Sequence, residues 1–311
     1  MLNPTKSVVI TGASSGIGRA SVALMRQAGW QVFGTVRKAA DQKRLQEACG
    51  ENVVPVVMEV EDEASIKAAA AQIATHLDGL GLDGLVNCAG IGVVRPVEYA
   101  SLSDIRQIYE INVFGQILVS QALLPLLRKN RGRIVNITSV GVNIAIPFGG
   151  LLNSSKSAFG MLSDSMRLEL RPFGVRVIAV EPGAISTPAV EKTLGDIENV
   201  IENLPAEARM QYDEMLRTFW RKAYAREKNG SSPRVVAEAV LHALTSSRPR
   251  IRYRVGKHAK LLATLPKLLP ESVLDALRIR MFGLEAPTNV RRQRRKPQGA
   301  AALRPVAVNP K

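Results

Sequence analysis

Near its start the chain reads VVITGASSGIG, over residues 8–18. An apolar run ends at Ile10, and a helical pattern begins near Arg19. A strand that turns through Thr11, Gly12, Ser14, Ser15, Gly16, Ile17 and Gly18 into a helix makes an anion site. The first N–H groups of such a helix are unpaired, and its dipole favours negative charge. Gly12 permits the tight turn, Gly16 lets a diphosphate approach the backbone, and Gly18 lets helix and strand pack closely. The chemistry this spacing serves is the binding of a dinucleotide. Other chemistry-bearing residues form no comparable group. Cys88 lies in an apolar run, where a thiol behaves as a small buried side chain. His76, His242 and His258 are scattered without ligand spacing, so no metal site is expected.

A second signal stands at the end of the next apolar run, 31–36. Dinucleotide folds often place a carboxylate there, against the adenosine ribose. This chain has Arg37 and Lys38 instead. Cations suit a 2′-phosphate, and Arg offers a planar donor fork for it. The expected cofactor is therefore NADP rather than NAD.

The elements that must position these residues alternate. Runs at 8–10, 31–36, 53–58, 85–87, 133–138, 175–180 and 252–255 read as strands. Helical patterns fill 16–28, 41–48, 63–76, 101–127, 153–171 and 233–244. The alternation predicts an α/β domain over 1–256: a doubly wound parallel sheet of about seven strands, covered on both faces. The run 53–58 is apolar throughout, as expected of a strand buried on both faces.

Composition sets outer limits. With 46% apolar residues the chain can bury a full core, and two cysteines give no disulfide framework, as expected in a reducing compartment. The first strand begins almost at once, leaving no room for a signal peptide. No run of ~18 uninterrupted apolar residues predicts a membrane-spanning helix. A cytoplasmic location is expected. The net charge is +15, yet 15 of the 42 Lys and Arg fall in 250–311, against Glu271, Asp275 and Glu285. The body is nearly neutral, so nucleic acid is not an expected partner. The basic excess belongs to a C-terminal segment that meets something acidic or stays solvated.

Two stretches stand outside the alternation. The interval 187–230 is long and charged, with Met215, Phe219 and Trp220 among its apolar positions. Ligands of open parallel sheets bind beyond the C-terminal strand ends. An insertion leaving that edge is placed to be a helical substrate lid. After the last strand, 257–286 is a basic amphipathic helical extension containing Leu261, Leu265, Leu268, Val273, Leu277 and Met281. It can lie on an anionic membrane surface, or pack on the domain or a second subunit. The remainder, 287–311, is rich in Pro and Arg without periodicity and reads as a disordered basic tail.

Over residues 5–256 these motifs, in order, resemble the short-chain dehydrogenase/reductase family. TGASSGIG matches its cofactor loop. Glu59 and Val60 resemble its Asp-Val pair near the adenine, with Glu in place of Asp, and NCAG (Asn87, Ala89 and Gly90 within it) matches its element after strand four. Pro182 and Gly183, with Thr187, match the element that meets the nicotinamide. Asn112 in INVFG, Ser139 in NITSV and Lys156 in NSSK fall where the family carries its structural asparagine, catalytic serine and catalytic lysine. The resemblance implies a Rossmann fold, hydride transfer with a nicotinamide cofactor, and a homodimer or homotetramer.

One position departs. Residue 152, where the family carries the tyrosine that exchanges a proton with the substrate oxygen, is leucine. Lys156 and the helix after it fix the register, so no tyrosine slides into place. Ser139 can still donate to a carbonyl oxygen, and Lys156 can still stabilise an alkoxide and hold the cofactor ribose. The proton would come from Tyr212 or Tyr224 in the lid, or from water relayed through Asn112. Phe148, Leu151 and Leu152 suggest an apolar pocket for a steroid-, retinoid- or acyl-like substrate. Two functions follow. One is an NADP(H)-dependent oxidoreductase acting on a hydrophobic carbonyl or secondary alcohol through a non-standard proton relay, with peripheral contact to anionic membrane through the basic C-terminus. The other is a catalytically inactive NADP-binding scaffold or sensor in which Leu152 is a plug.

Overall fold

Short runs such as SVVI and GLVN can bury every residue only where both faces of a sheet are covered. They do so in the computed structural model, which describes residues 6–50 and 52–284. Seven parallel strands form one sheet: β1 (Ser7–Ile10), β2 (Gln31–Val36), β3 (Val53–Val57), β4 (Gly84–Asn87), β5 (Arg133–Ile137), β6 (Arg176–Pro182) and β7 (Arg252–Val255). Their order is β3-β2-β1-β4-β5-β6-β7. Winding reverses between β1 and β4, where Val9 pairs with Leu85, and that reversal opens a crevice at the carboxyl ends of the strands.

Among the described residues there are twelve α-helices, in chain order α1 (Gly16–Gln27), α2 (Ala39–Cys49), α3 (Glu63–His76), α4 (Leu102–Tyr109), α5 (Gly115–Asn130), α6 (Gly150–Glu169), α7 (Pro188–Leu194), α8 (Ile197–Glu202), α9 (Ala206–Lys228), α10 (Pro233–Thr245), α11 (Ala259–Leu268) and α12 (Glu271–Phe282). The period of two along each strand splits the core. Val8 and Ile10 meet Val22 and Met25 of α1 and Val236 and Val240 of α10. Val9 meets the opposite layer, with Ile66 and Ile73 of α3 and Val119 and Leu123 of α5.

Two expectations need correction. β3 is not buried on both faces. It is the edge strand, and Val57 is 37% exposed. The helical stretch expected over 101–127 is α4 and α5 joined by a π turn at Glu110–Phe114. This stretch, Leu102–Asn130, is long and apolar enough by composition to cross a membrane, although charged residues interrupt its apolar runs. Its apolar residues Val119, Leu123 and Leu127 lie in the core of the domain.

The interval 187–230 folds as α7, α8 and α9. Leu194, Phe219 and Trp220 pack on Val94 from the loop after β4 and on Ile146 and Phe148 from the loop after β5. The insertion therefore covers the carboxyl edge of the sheet. One face of the C-terminal extension packs on it: the Phe282 ring lies 5.3 Å from that of Phe219, under the Arg226 guanidinium. The tail expected over 287–311 lies outside the described residues.

Candidate active site

The glycine turn is held by backbone contacts that leave no room for side chains. Gly12 has φ +67°, and a Cβ there would lie 3.0 Å from Ala89 Cα. A Cβ on Gly18 would lie 2.2 Å from the Gly12 carbonyl oxygen. Thr11 Oγ1 accepts the N–H groups of Cys88 and Ala89, both at 2.9 Å, and Ala13 N–H donates to Thr35 O at 2.9 Å. The turn is thus tied to the ends of β4 and β2. Ser15 caps α1 by position but makes no side-chain cap bond, so the first-turn N–H groups stay open to an anion. Ser14 beside it is exposed, and Ile17 packs into the first core. Thr187, the residue before α7, faces Gly16.

At the far end of the crevice, Arg37 and Lys38 follow β2 directly. Both are exposed and neither has an ion pair among the described residues. Nearby, Glu59 keeps a buried oxygen, Oε1, without a partner, while its N–H is held by Ser65 Oγ at 2.9 Å. Val60 next to it is buried. A glycine cradle, an open helix end, two unpaired cations and a buried carboxylate oxygen awaiting a donor fit a dinucleotide.

The reacting end lies past β5. Ser139 Oγ accepts Gly141 N–H at 2.9 Å, and among the described residues nothing accepts its O–H. Lys156 Nζ donates to Ile137 O at 3.0 Å. Burial pulls the Lys156 pKa down to about 8, against a smaller upward pull from Cys88. Burial also pushes the Cys88 thiol up to about 12, so it stays protonated. A Cβ on Gly90 would lie 3.0 Å from Asn112 Oδ1 and 3.4 Å from Lys156 Nζ, which places these three together. Leu152, half-buried in the first turn of α6, stands one turn before Lys156.

The short chain dehydrogenase family model matches residues 6–198. This chain belongs to that family. It is 34% identical over 279 residues to retinol dehydrogenase 5 of Homo sapiens, covering 87% of this chain and 86% of that one. It is 34% identical over 284 residues to the 3-amino-tetrahydro-pyrrolizinone reductase of Xenorhabdus hominickii, covering 91% and 96%. A short-chain dehydrogenase from Burkholderia cenocepacia, solved in complex with NADP, has the same fold at a TM-score of 0.66. It is 26% identical, covering 88% of this chain and 98% of that one. The chain is an oxidoreductase of the short-chain dehydrogenase type, and the fold is one that holds a nicotinamide cofactor.

In this short-chain dehydrogenase several polar residues of the motifs are held by hydrogen bonds inside the domain. Asn87 is 1% exposed, and its amide donates inward to Ser120 Oγ and Asn136 Oδ1, both at 2.9 Å. It braces β4 against β5, while its Oδ1 is buried without a partner among the described residues. Asn112 also has its amide fully used. Oδ1 accepts Ile91 N–H, and Nδ2 donates to Ile91 O and to Ser155 Oγ. These bonds position the loop after β4. Asn136, which passes the buried chain on to Ser163 Oγ at 2.7 Å, and Gln116, which donates to Ala89 O at 3.0 Å, were not singled out from sequence. Their only signal was a polar residue inside an apolar element.

Tyr212 and Tyr224 of the 187–230 insertion both donate to carboxylates. Tyr212 donates to Glu98 Oε2 at 2.7 Å, and that bond pushes its pKa up to about 12. Tyr224 donates to Glu191 Oε1 at 2.7 Å. Pro182 ends β6. Gly183 after it lies against the turn beyond β7, where a Cβ would be 2.4 Å from Lys257 O.

Proposed function

We propose that this chain moves a hydride between NADP(H) and the carbonyl or secondary-alcohol carbon of a hydrophobic small molecule, and that Ser139 and Lys156 manage the substrate oxygen without a phenol. The observation that carries this is the pairing of an unclaimed Ser139 O–H with a Lys156 ammonium whose pKa burial lowers to about 8. Near neutral pH such a group holds its proton yet releases it readily.

When bound, the nicotinamide supplies the hydride in reduction and accepts it in oxidation. In reduction, Ser139 O–H donates a hydrogen bond to the carbonyl oxygen. Negative charge collects on that oxygen as the carbon is reduced. The Lys156 ammonium stabilises the charge and delivers a proton, directly or through one water, and is left as the amine. In oxidation the amine takes the alcohol proton. Lys156 would also hold the cofactor ribose, while Arg37 and Lys38 would take the 2′-phosphate. Phe148, Val94, Leu194 and Phe219 give the lid an apolar underside, which suits a retinoid- or steroid-like molecule. The name of the retinol dehydrogenase relative supports that class. Phe114 (48% exposed), on the π turn before α5, and Met161 (70%) and Leu168 (60%) of α6 leave apolar surface suited to a second copy, consistent with a homodimer or homotetramer.

The test is NADPH oxidation with a panel of hydrophobic aldehydes and ketones that includes retinal. Turnover is expected, and Lys156→Ala should lower it by about 10²-fold or more. NADPH binding without turnover of any panel member would favour the scaffold reading. NADH bound as tightly as NADPH would overturn the cofactor assignment.

A further inference from the structure

The two helices after β7 are apolar on more faces than packing requires. Ala259 and Ala263 of α11, and Leu274 and Phe282 of α12, are buried against the domain. That one stripe suffices to hold a helix. A second stripe faces outward. On α12, Val273, Leu277 and Met281 recur every four residues and are 43%, 47% and 41% exposed. On α11, Leu261 and Leu268 are 54% and 73% exposed.

The charges beside these stripes are of one sign. Lys260, Lys267 and Arg280 are exposed and have no ion pair among the described residues. The acids of the segment, Glu271 and Asp275, are both taken by Arg278. Past Leu284 the sequence continues with further arginines, beginning at Arg291. Apolar side chains interleaved with unpaired cations match an anionic lipid surface. The leucines enter the acyl boundary while the ammonium groups reach the phosphates.

We propose that α11 and α12 seat the protein on an anionic membrane, and that this seating presents the lid to the lipid. The second part rests on the hydrophobic substrate proposed above. Phe282 is the link, because it is buried in the same cluster as Phe219 and Trp220 of α9. The docking surface and the lid are one packed unit. A substrate dissolved in the bilayer reaches the lid without crossing water.

The test is sedimentation of the full chain with phosphatidylcholine vesicles, made with and without phosphatidylglycerol. Binding is expected only to the anionic vesicles, and it should weaken with salt. Lys260→Gln, Lys267→Gln and Arg280→Gln together should lower partitioning about a hundredfold, roughly fivefold per cation. Leu268→Ser with Leu277→Ser should lower it by at least about tenfold. A full chain with Arg291→Gln, Arg292→Gln, Arg294→Gln and Arg295→Gln should keep binding that both other variants lose. Equal binding to the two vesicle types, no binding, or unchanged binding in the helix variants would overturn the proposal. So would complete loss in the Arg291–Arg295 variant, which would assign the contact to the residues after Leu284. If the serine variant instead separates an oligomer into monomers and vesicles are ignored, the face joins two copies and the proposal fails. None of these substitutions touches Ser139, Lys156 or the glycine turn. Turnover of a water-soluble ketone should stay at the wild-type rate, and that readout separates failed docking from failed catalysis.

Discussion

The cofactor half of the crevice and its reacting half are built from different materials. Around Gly12 and Gly18 the contacts are made by backbone, and the polar side chain nearby, Thr11, is used to hold that backbone in place. Around Ser139 and Lys156 the burden falls on single side chains. A helix N-terminus and its N–H groups are indifferent to what stands one turn before Lys156. The path of a proton is not. The difference lets the dinucleotide cradle and the side chains around Lys156 vary independently.

The sharpest way to break this contrast is Leu152→Tyr. A phenol one turn before Lys156 would add a general acid, typically worth ~10²–10⁴-fold in rate. NADPH affinity should stay unchanged, because Leu152 takes no part in the glycine turn. Steady-state kinetics and a cofactor titration on the same variant read both halves at once. A rate unchanged by the phenol would mean that the existing relay is already complete.

A smaller effect tests the cofactor half alone. Arg37→Ala should reduce the preference for NADPH over NADH by about tenfold to a hundredfold, the range of one or two hydrogen bonds to a charged group. Rates at saturating cofactor should hold. Loss of rate with unchanged preference would show that the two halves are not separable.

The pH profile carries an effect of about tenfold per unit. The Lys156 ammonium is lost near pH 8 instead of near the ordinary 10.5. On the proposed mechanism carbonyl reduction uses the ammonium, so its rate should fall as pH rises through about 8. Alcohol oxidation needs the amine and should rise to a plateau above about 8. Stability shifts the same way as oxidation. Between about 8 and 10.5 the unfolded chain holds a proton that the folded chain has released, so this group favours folding more as pH rises through that window. Lys156→Met should flatten all three curves.

Much of the architecture could be read from the chain, for reasons visible in particular residues. Strings such as SVVI alternate between two cores, and the helices between strands leave a parallel sheet as the outcome. The glycine turn was readable because glycine alone tolerates the φ of Gly12 beside Ala89. Leu152 was readable because its spacing to Lys156 is fixed by a helix. The edge position of β3 was not, since VVPVV is equally apolar wherever it sits in a sheet. The bracing role of Asn87 was also hidden. An asparagine at a strand end looks the same whether its amide faces a ligand or the interior. The partners that decide, Ser120 and Asn136, are remote in sequence.

The smallest expected effect comes from Tyr212→Phe. Tyr212 is a phenol on the lid of an enzyme that lacks its family's phenol, so it is the natural suspect for the missing acid. Its hydroxyl instead donates to Glu98, and that carboxylate makes the phenol a weaker acid, with a pKa of about 12. A hydroxyl so held keeps its proton at neutral pH and commits it to Glu98, and its ring packs edge-on to Tyr99 and Phe148 whether or not the hydroxyl is present. The phenylalanine variant should keep its rate in both directions, far from the ~10²-fold loss that removal of a general acid produces. A loss of that size would move the proton path from Lys156 to the lid. It would also make the reacting half of the crevice, like the cofactor half, depend on contacts between distant segments.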